Sequence, residues 1–109
     1  MPKELKLQFD FSHGPIWKDV YNPKAKEWST GIDVIDKDSE LNALNDEMTR
    51  MYSSFYIFDD YGVPHFDVEA FEKNRSLLLS KISTVINRIN AINDGSFVIN
   101  DLASKELGA

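Results

Sequence analysis

The chain contains no cysteine, so disulfides, thiol nucleophiles and cysteine-ligated zinc are all excluded. Histidine occurs only at His13 and His65. No apolar run approaches the roughly 20 residues that a spanning helix needs, and Met1-Pro2-Lys3-Glu4-Leu5-Lys6 is too polar to begin a secretory signal. The expected location is therefore cytoplasmic, with no membrane association. Basic charge is also short. A pI near 4.8 argues against direct nucleic-acid binding, which needs a cationic footprint to displace counterions. What remains is the composition of an ordinary folded protein, 42% hydrophobic and 28% charged. At 109 residues it is read as a single domain spanning 1–109, since smaller pieces would not bury a sufficient core.

The net charge of −6 is concentrated in one stretch, Gly31 to Asp60. There Asp33, Asp36, Asp38, Glu40, Asp46, Glu47, Asp59 and Asp60 face only Lys37 and Arg50, while the flanking segments nearly cancel. Localised acid creates a negative field that draws in basic surfaces or cations.

Residues 5–11 alternate apolar and polar, which predicts a half-buried strand with Leu5, Leu7, Phe9 and Phe11 on one face. Ser12-His13-Gly14-Pro15 breaks it. Extended segments over 16–21 and 27–35, separated by the Asn22-Pro23 turn, suggest a small N-terminal antiparallel sheet or hairpin. From Asp36 the period changes. Leu41, Leu44, Met48, Met51 and Phe55 recur at 3, 4, 3 and 4, predicting a helix over about 38–58 capped by Asp36 or Asp38. A break at 59–64 precedes a second helix over about 67–93, carried by Phe71, Leu78, Ile82, Val85, Ile89 and Ile92. The two stripes should face each other as a long antiparallel helical hairpin, with a short strand and helix after Asn93-Asp94-Gly95. The fold class expected is α+β.

No motif names a reaction, and no catalytic residue or cofactor follows from the sequence. Asp33, Asp36 and Asp38 have the chemistry of a hard-cation site, but the preferred reading is a capping sequence with some acids solvated, since the ligand order and glycine of an EF-hand loop are missing. Residues 59–69 fail as a calcium loop, because setting Gly62 at the sixth position places Ile57 first and Val68 last, where carboxylates are required. Ser12 and His13 are adjacent in sequence, which does not bring a hydroxyl onto an imidazole as a triad does. His13 and His65 are read as turn or surface histidines. Tyr52, Phe55, Tyr56, Phe58, Tyr61 and Phe66 read either as core beneath a turn or as a binding patch. Trp17, Tyr21 and Trp28 surround a basic turn, but the acidic remainder disfavours base stacking there. The second helix also carries Ser76, Ser80, Ser83, Thr84, Asn87 and Asn90, poor helix formers whose presence predicts partial burial against the N-terminal strands or a partner or self-association surface.

These features point to a small acidic protein-binding module, of the immunity-protein or antitoxin kind or another inhibitor, that covers a basic partner such as a toxin, nuclease or other enzyme. The partner-binding residues expected are Asp33, Asp36, Asp38, Glu40, Asp59, Asp60, Tyr52, Tyr56 and Tyr61. Charge reversal at Asp33, Asp36 and Asp38 should then slow association far more than it changes stability. Two alternatives compete: a nucleic-acid mimic that inhibits a DNA-binding enzyme, and a small metal-binding or enzymatic domain using Asp33, Asp36 and Asp38. A homodimer is compatible with any of these.

Overall fold

The computed structural model describes residues 3–11 and 13–108, so Ser12 and the reading placed on it lie outside the described residues. Helix and strand are mixed in a small compact globule of 45 × 32 × 24 Å, and the strands form three separate two-stranded sheets. The first strand, β1 (Lys3–Leu7), follows its alternation: Leu5 and Leu7 are buried while Lys6 turns outward over the Trp17 ring. Its partner is not a neighbour in sequence. It pairs in parallel with residues 97–101, Lys3 opposite Phe97 and Leu7 opposite Asp101. On its other edge the 15–17 segment makes only a short antiparallel contact, with Gln8 N donating to Pro15 O (2.8 Å) and Trp17 N to Lys6 O (3.0 Å).

Of the expected N-terminal antiparallel sheet or hairpin, the hairpin forms, but β1 is not part of it and the extended segment expected over 27–35 gives way to helix at Asp33. Pro15 has no N–H to extend a ladder, and β2 (Val20–Asn22) and β3 (Glu27–Ser29) satisfy each other as an isolated antiparallel hairpin. Asn22 Oδ1 accepts from Lys24 N and Ala25 N to close that turn, and Lys26 takes a left-handed φ of 54°. The remaining edge of β1 goes to the C-terminal strand, which the long intervening chain can reach.

A short helix, α1 (Asp33–Asp36), leads into α2 (Ser39–Ser53), where Asp38 Oδ2 accepts from Leu41 N at 3.0 Å as the N-cap. Leu41 and Met48 are fully buried, with Leu44 and Met51 packed beside them. This helix stops five residues before the predicted end at 58. Tyr56-Ile57-Phe58, all good strand formers, instead become β4 (Tyr56–Phe58) and pair with β5 (Pro64–Phe66). The two helices are thus joined by a β-hairpin rather than by a plain break.

The longest element, α3 (Val68–Ile92), starts at Asp67, whose Oδ1 accepts from Ala70 N at 3.1 Å. Leu78, Ile82, Val85 and Ile89 form its buried stripe, and Phe71, Leu79, Ile86 and Ile92 flank it. Its polar residues do not match the expected burial. Ser76, Ser80, Ser83, Thr84, Asn87 and Asn90 are all exposed, while the buried residues of α3 are those of its apolar stripe. After β6 (Phe97–Asp101), the chain ends in α4 (Ala103–Glu106); Asp101 Oδ1 accepts from Ser104 N, and Ala103 and Leu107 are buried.

One close approach fixes the loop before β2 against α2. Asn45, buried in the middle of α2, accepts from Ile16 N at 2.9 Å. Gly14 lies so near Thr49 Oγ1 and Asn45 Oδ1 that any Cβ would collide with them.

Candidate functional site

The nine residues singled out from sequence fall into two groups. α2 separates them, and its 15 residues span about 22 Å. At the start of α2 lie Asp33, Asp36, Asp38 and Glu40. In its last turn lies Tyr52, and beyond its end lie Tyr56, Asp59, Asp60 and Tyr61.

In the first group most of the carboxylates serve the fold. Asp36 Oδ1 accepts from both Thr30 N and Thr30 Oγ1 at 2.9 Å, tying the end of β3 to α1. Asp38 caps α2 and also receives Arg88 from α3, with Nη2 at 2.6 Å from Oδ1 and Nε at 3.2 Å from Oδ2. Only 11% of the Asp38 side chain is exposed. The Arg88 hydrogen bond holds its carboxyl below the usual range against the opposing effect of burial. Glu40 shares the same guanidinium, Oε2 lying 3.2 Å from Nε, and remains mostly in solvent. Asp33 is exposed and, among the described residues, makes no such contact. The acids therefore do not converge: Asp36 turns to Thr30, while Asp38 and Glu40 share Arg88. Among the described residues, no group of three or more metal-ligating side chains converges.

The second group is built differently. Tyr52 and Phe55 close the base of an aromatic array, with Phe9 stacked on Tyr52 at 4.9 Å and Phe66 and Phe71 edge-on to Phe55 at 6.3 and 5.9 Å. Burial pushes the Tyr52 hydroxyl well above its ordinary pKa, so it stays neutral. Moving outward along the hairpin, Tyr56 meets Phe66 at 5.2 Å and Phe11 at 5.1 Å, and Phe11 meets Phe58 at 5.6 Å. The rings grade from core to solvent: Phe55 is 3% exposed, Phe58 52% and Tyr61 92%. Neither reading of this run was complete, since its base is core and its tip is surface. Ile57 and Val63 are also about half exposed, so the tip is an apolar patch.

Asp59 organises that tip. Its Oδ1 accepts from Tyr61 N and Val63 N, both at 2.9 Å, and Gly62 N donates to Asp59 O at 3.0 Å. Gly62 sits at φ +78°, where a side chain would be strained. His65 Nε2 lies 3.2 Å from Asp59 Oδ2. The Val63 amide and then His65 hold the Asp59 carboxyl below its usual range. Asp60 makes no hydrogen bond or ion pair among the described residues and points its charge into solvent beside Tyr61.

Sequence reasoning missed the β-hairpin and the Asp38–Arg88 pair. The hairpin had a local signal, because Tyr-Ile-Phe and Pro-His-Phe flank an Asp-Asp-Tyr-Gly turn. The pair joins residues 50 positions apart and had none. Among the described residues, no helix is long and apolar enough to cross a membrane. No family model, curated protein or solved structure matches the chain.

Proposed function

We propose that this protein is a small acidic binding module that covers a basic protein partner in the cytoplasm, as an immunity protein, antitoxin or other inhibitor does. The observation that carries this reading is Tyr61, 92% exposed beside Asp60 and the half-exposed Ile57, Phe58 and Val63. An aromatic anchor beside an unpaired carboxylate combines affinity with electrostatic steering. In this reading α2 and α3 act as one antiparallel helical hairpin that presents the strand hairpin at its connected end. Asp33 and Glu40 add to the long-range field, while Asp36, Asp38, Tyr52 and Tyr56 set the shape of the surface.

The test is capture from the native host at low salt with wild-type and Tyr61→Ala proteins side by side. A stoichiometric basic protein that raised salt releases, and that Tyr61→Ala fails to retain, is the expected result. Equal retention by the two proteins, or a captured partner indifferent to salt, would overturn the reading.

A further inference from the structure

The β4–β5 hairpin has two outer edges, and they are not equivalent. Asp67 N donates to Phe55 O at 2.6 Å and Asp59 N to Val63 O at 3.1 Å, so the pairs 55/67 and 59/63 are hydrogen-bonded pairs of the ladder. By the alternation of an antiparallel ladder, Ile57 and His65 form the third such pair. The backbone groups of the intervening residues, Tyr56 and Phe58 on β4 and Pro64 and Phe66 on β5, therefore point away from the hairpin. Pro64 has no N–H, which blunts the β5 edge against further pairing. The β4 edge keeps both donors and both acceptors, and no hydrogen bond among the described residues engages them.

We infer that β4 is a docking edge for an extended segment of a basic protein, which adds to the hairpin as a third strand. This rests on the basic-partner reading and specifies how that partner is held. Main-chain hydrogen bonds to Tyr56 and Phe58 would supply register and affinity, as in other strand-addition complexes. The occupant's charge follows from what flanks the edge: unpaired Asp60 at the turn and exposed Asp10 beside Phe11, whose ring packs on Tyr56 and Phe58. Exposed Ile57 on one face of β4 and half-exposed Phe58 on the other offer apolar contact to alternate side chains. The segment that fits alternates lysine or arginine with aliphatic residues.

The probe is a capped Lys-Val-Lys-Val-Lys-Val hexapeptide titrated at low salt into the isotope-labelled protein, with amide chemical shifts followed by NMR. The largest shifts are expected at the Tyr56 and Phe58 amides. The same peptide N-methylated at alternate residues has a blocked donor edge, and it should bind roughly tenfold more weakly to unaltered protein. Phe58→Pro removes an outward N–H while sparing the internal ladder, and should weaken binding roughly tenfold more than Phe58→Thr, which removes the ring but keeps the N–H. Shifts spread over residues 33–60 that N-methylation does not alter would overturn strand addition while leaving the basic-partner reading standing. Absence of any shift would overturn both.

Discussion

The two acidic regions of this molecule carry similar side chains in opposite roles. At the start of α2, Asp36 and Asp38 spend their oxygens on Thr30, Leu41 and Arg88. At the hairpin tip, Asp59 shapes the turn with one oxygen, and Asp60 stays unpaired beside an exposed Tyr61. Charge density along a sequence does not distinguish these cases. The difference lies in whether fixed donors from elsewhere in the fold reach the carboxylate first.

The largest effect expected from breaking this division is on binding. Tyr61→Ala should weaken partner association by about 2 kcal/mol, in the range of an interface hot spot, and leave thermal stability unchanged because the ring is 92% exposed. Titration calorimetry against the captured partner, with thermal unfolding of each protein alone, checks both halves. A comparable loss is expected in stability alone from Gly14→Ala. Its Cβ would meet Thr49 and Asn45, and the overpacking should cost about 1–3 kcal/mol by denaturant titration. That substitution loosens the frame between the two regions and should lower binding only in proportion to the unfolded fraction.

A smaller and more selective contrast comes from Asp38→Ala against Asp60→Ala. Loss of the α2 cap should cost about 1 kcal/mol, and it also leaves Arg88 without its closest carboxylate. Asp60→Ala should fall within about 0.5 kcal/mol of wild type yet slow association at low salt. The simple expectation that charge reversal at Asp33, Asp36 and Asp38 would spare stability therefore survives only at Asp33, the exposed acid of the three that, among the described residues, makes no such contact. The opposite outcome, a neutral Asp38→Ala and a destabilising Asp60→Ala, would erase the division.

Much of the frame was legible in residue order, and the reasons are local. The α2 and α3 stripes repeat at helical spacing, and Asp38 and Asp67 cap where a carboxylate before an apolar period should. The alternation of residues 5–11 gave Leu5, Leu7 and Phe9 as buried, but the strand ends at Leu7, Phe11 is exposed, and the partner was not legible, because strand period says nothing about which distant segment completes a ladder. The helix stripe through Phe55 was followed too far. Phe55 is buried either way, but Tyr56-Ile57-Phe58 gains a hydrogen-bonded partner only as a strand. At the candidate site, residue types showed which groups could bind. Thr30, six residues from Asp36, is a local donor, but the Arg88 donor that withdraws Asp38 from solvent lies 50 positions away, where no local pattern reveals it.

The smallest expected effect sharpens the comparison through pH. Asp38 and Asp59 both have folded-state values below the unfolded ones, so each contributes stability that is present above the unfolded carboxylate range and lost as pH falls through the folded value. Both regions should therefore weaken together below about pH 4. Glu106 has the opposite sign. Burial raises its carboxyl even though Phe9 N donates to it at 3.3 Å, so its ionisation disfavours the folded state and its contribution is lost as pH rises. Glu106→Gln keeps an acceptor for Phe9 N and cannot ionise. It should raise the Tm slightly at pH 7, and that gain should vanish near pH 3, where the glutamate is already neutral. Thermal unfolding of wild type, Asp38→Asn and Glu106→Gln across pH 3–7 separates the three behaviours. Parallel curves for all three would show that neither the Arg88 pair nor the burial of Glu106 governs ionisation as the geometry requires.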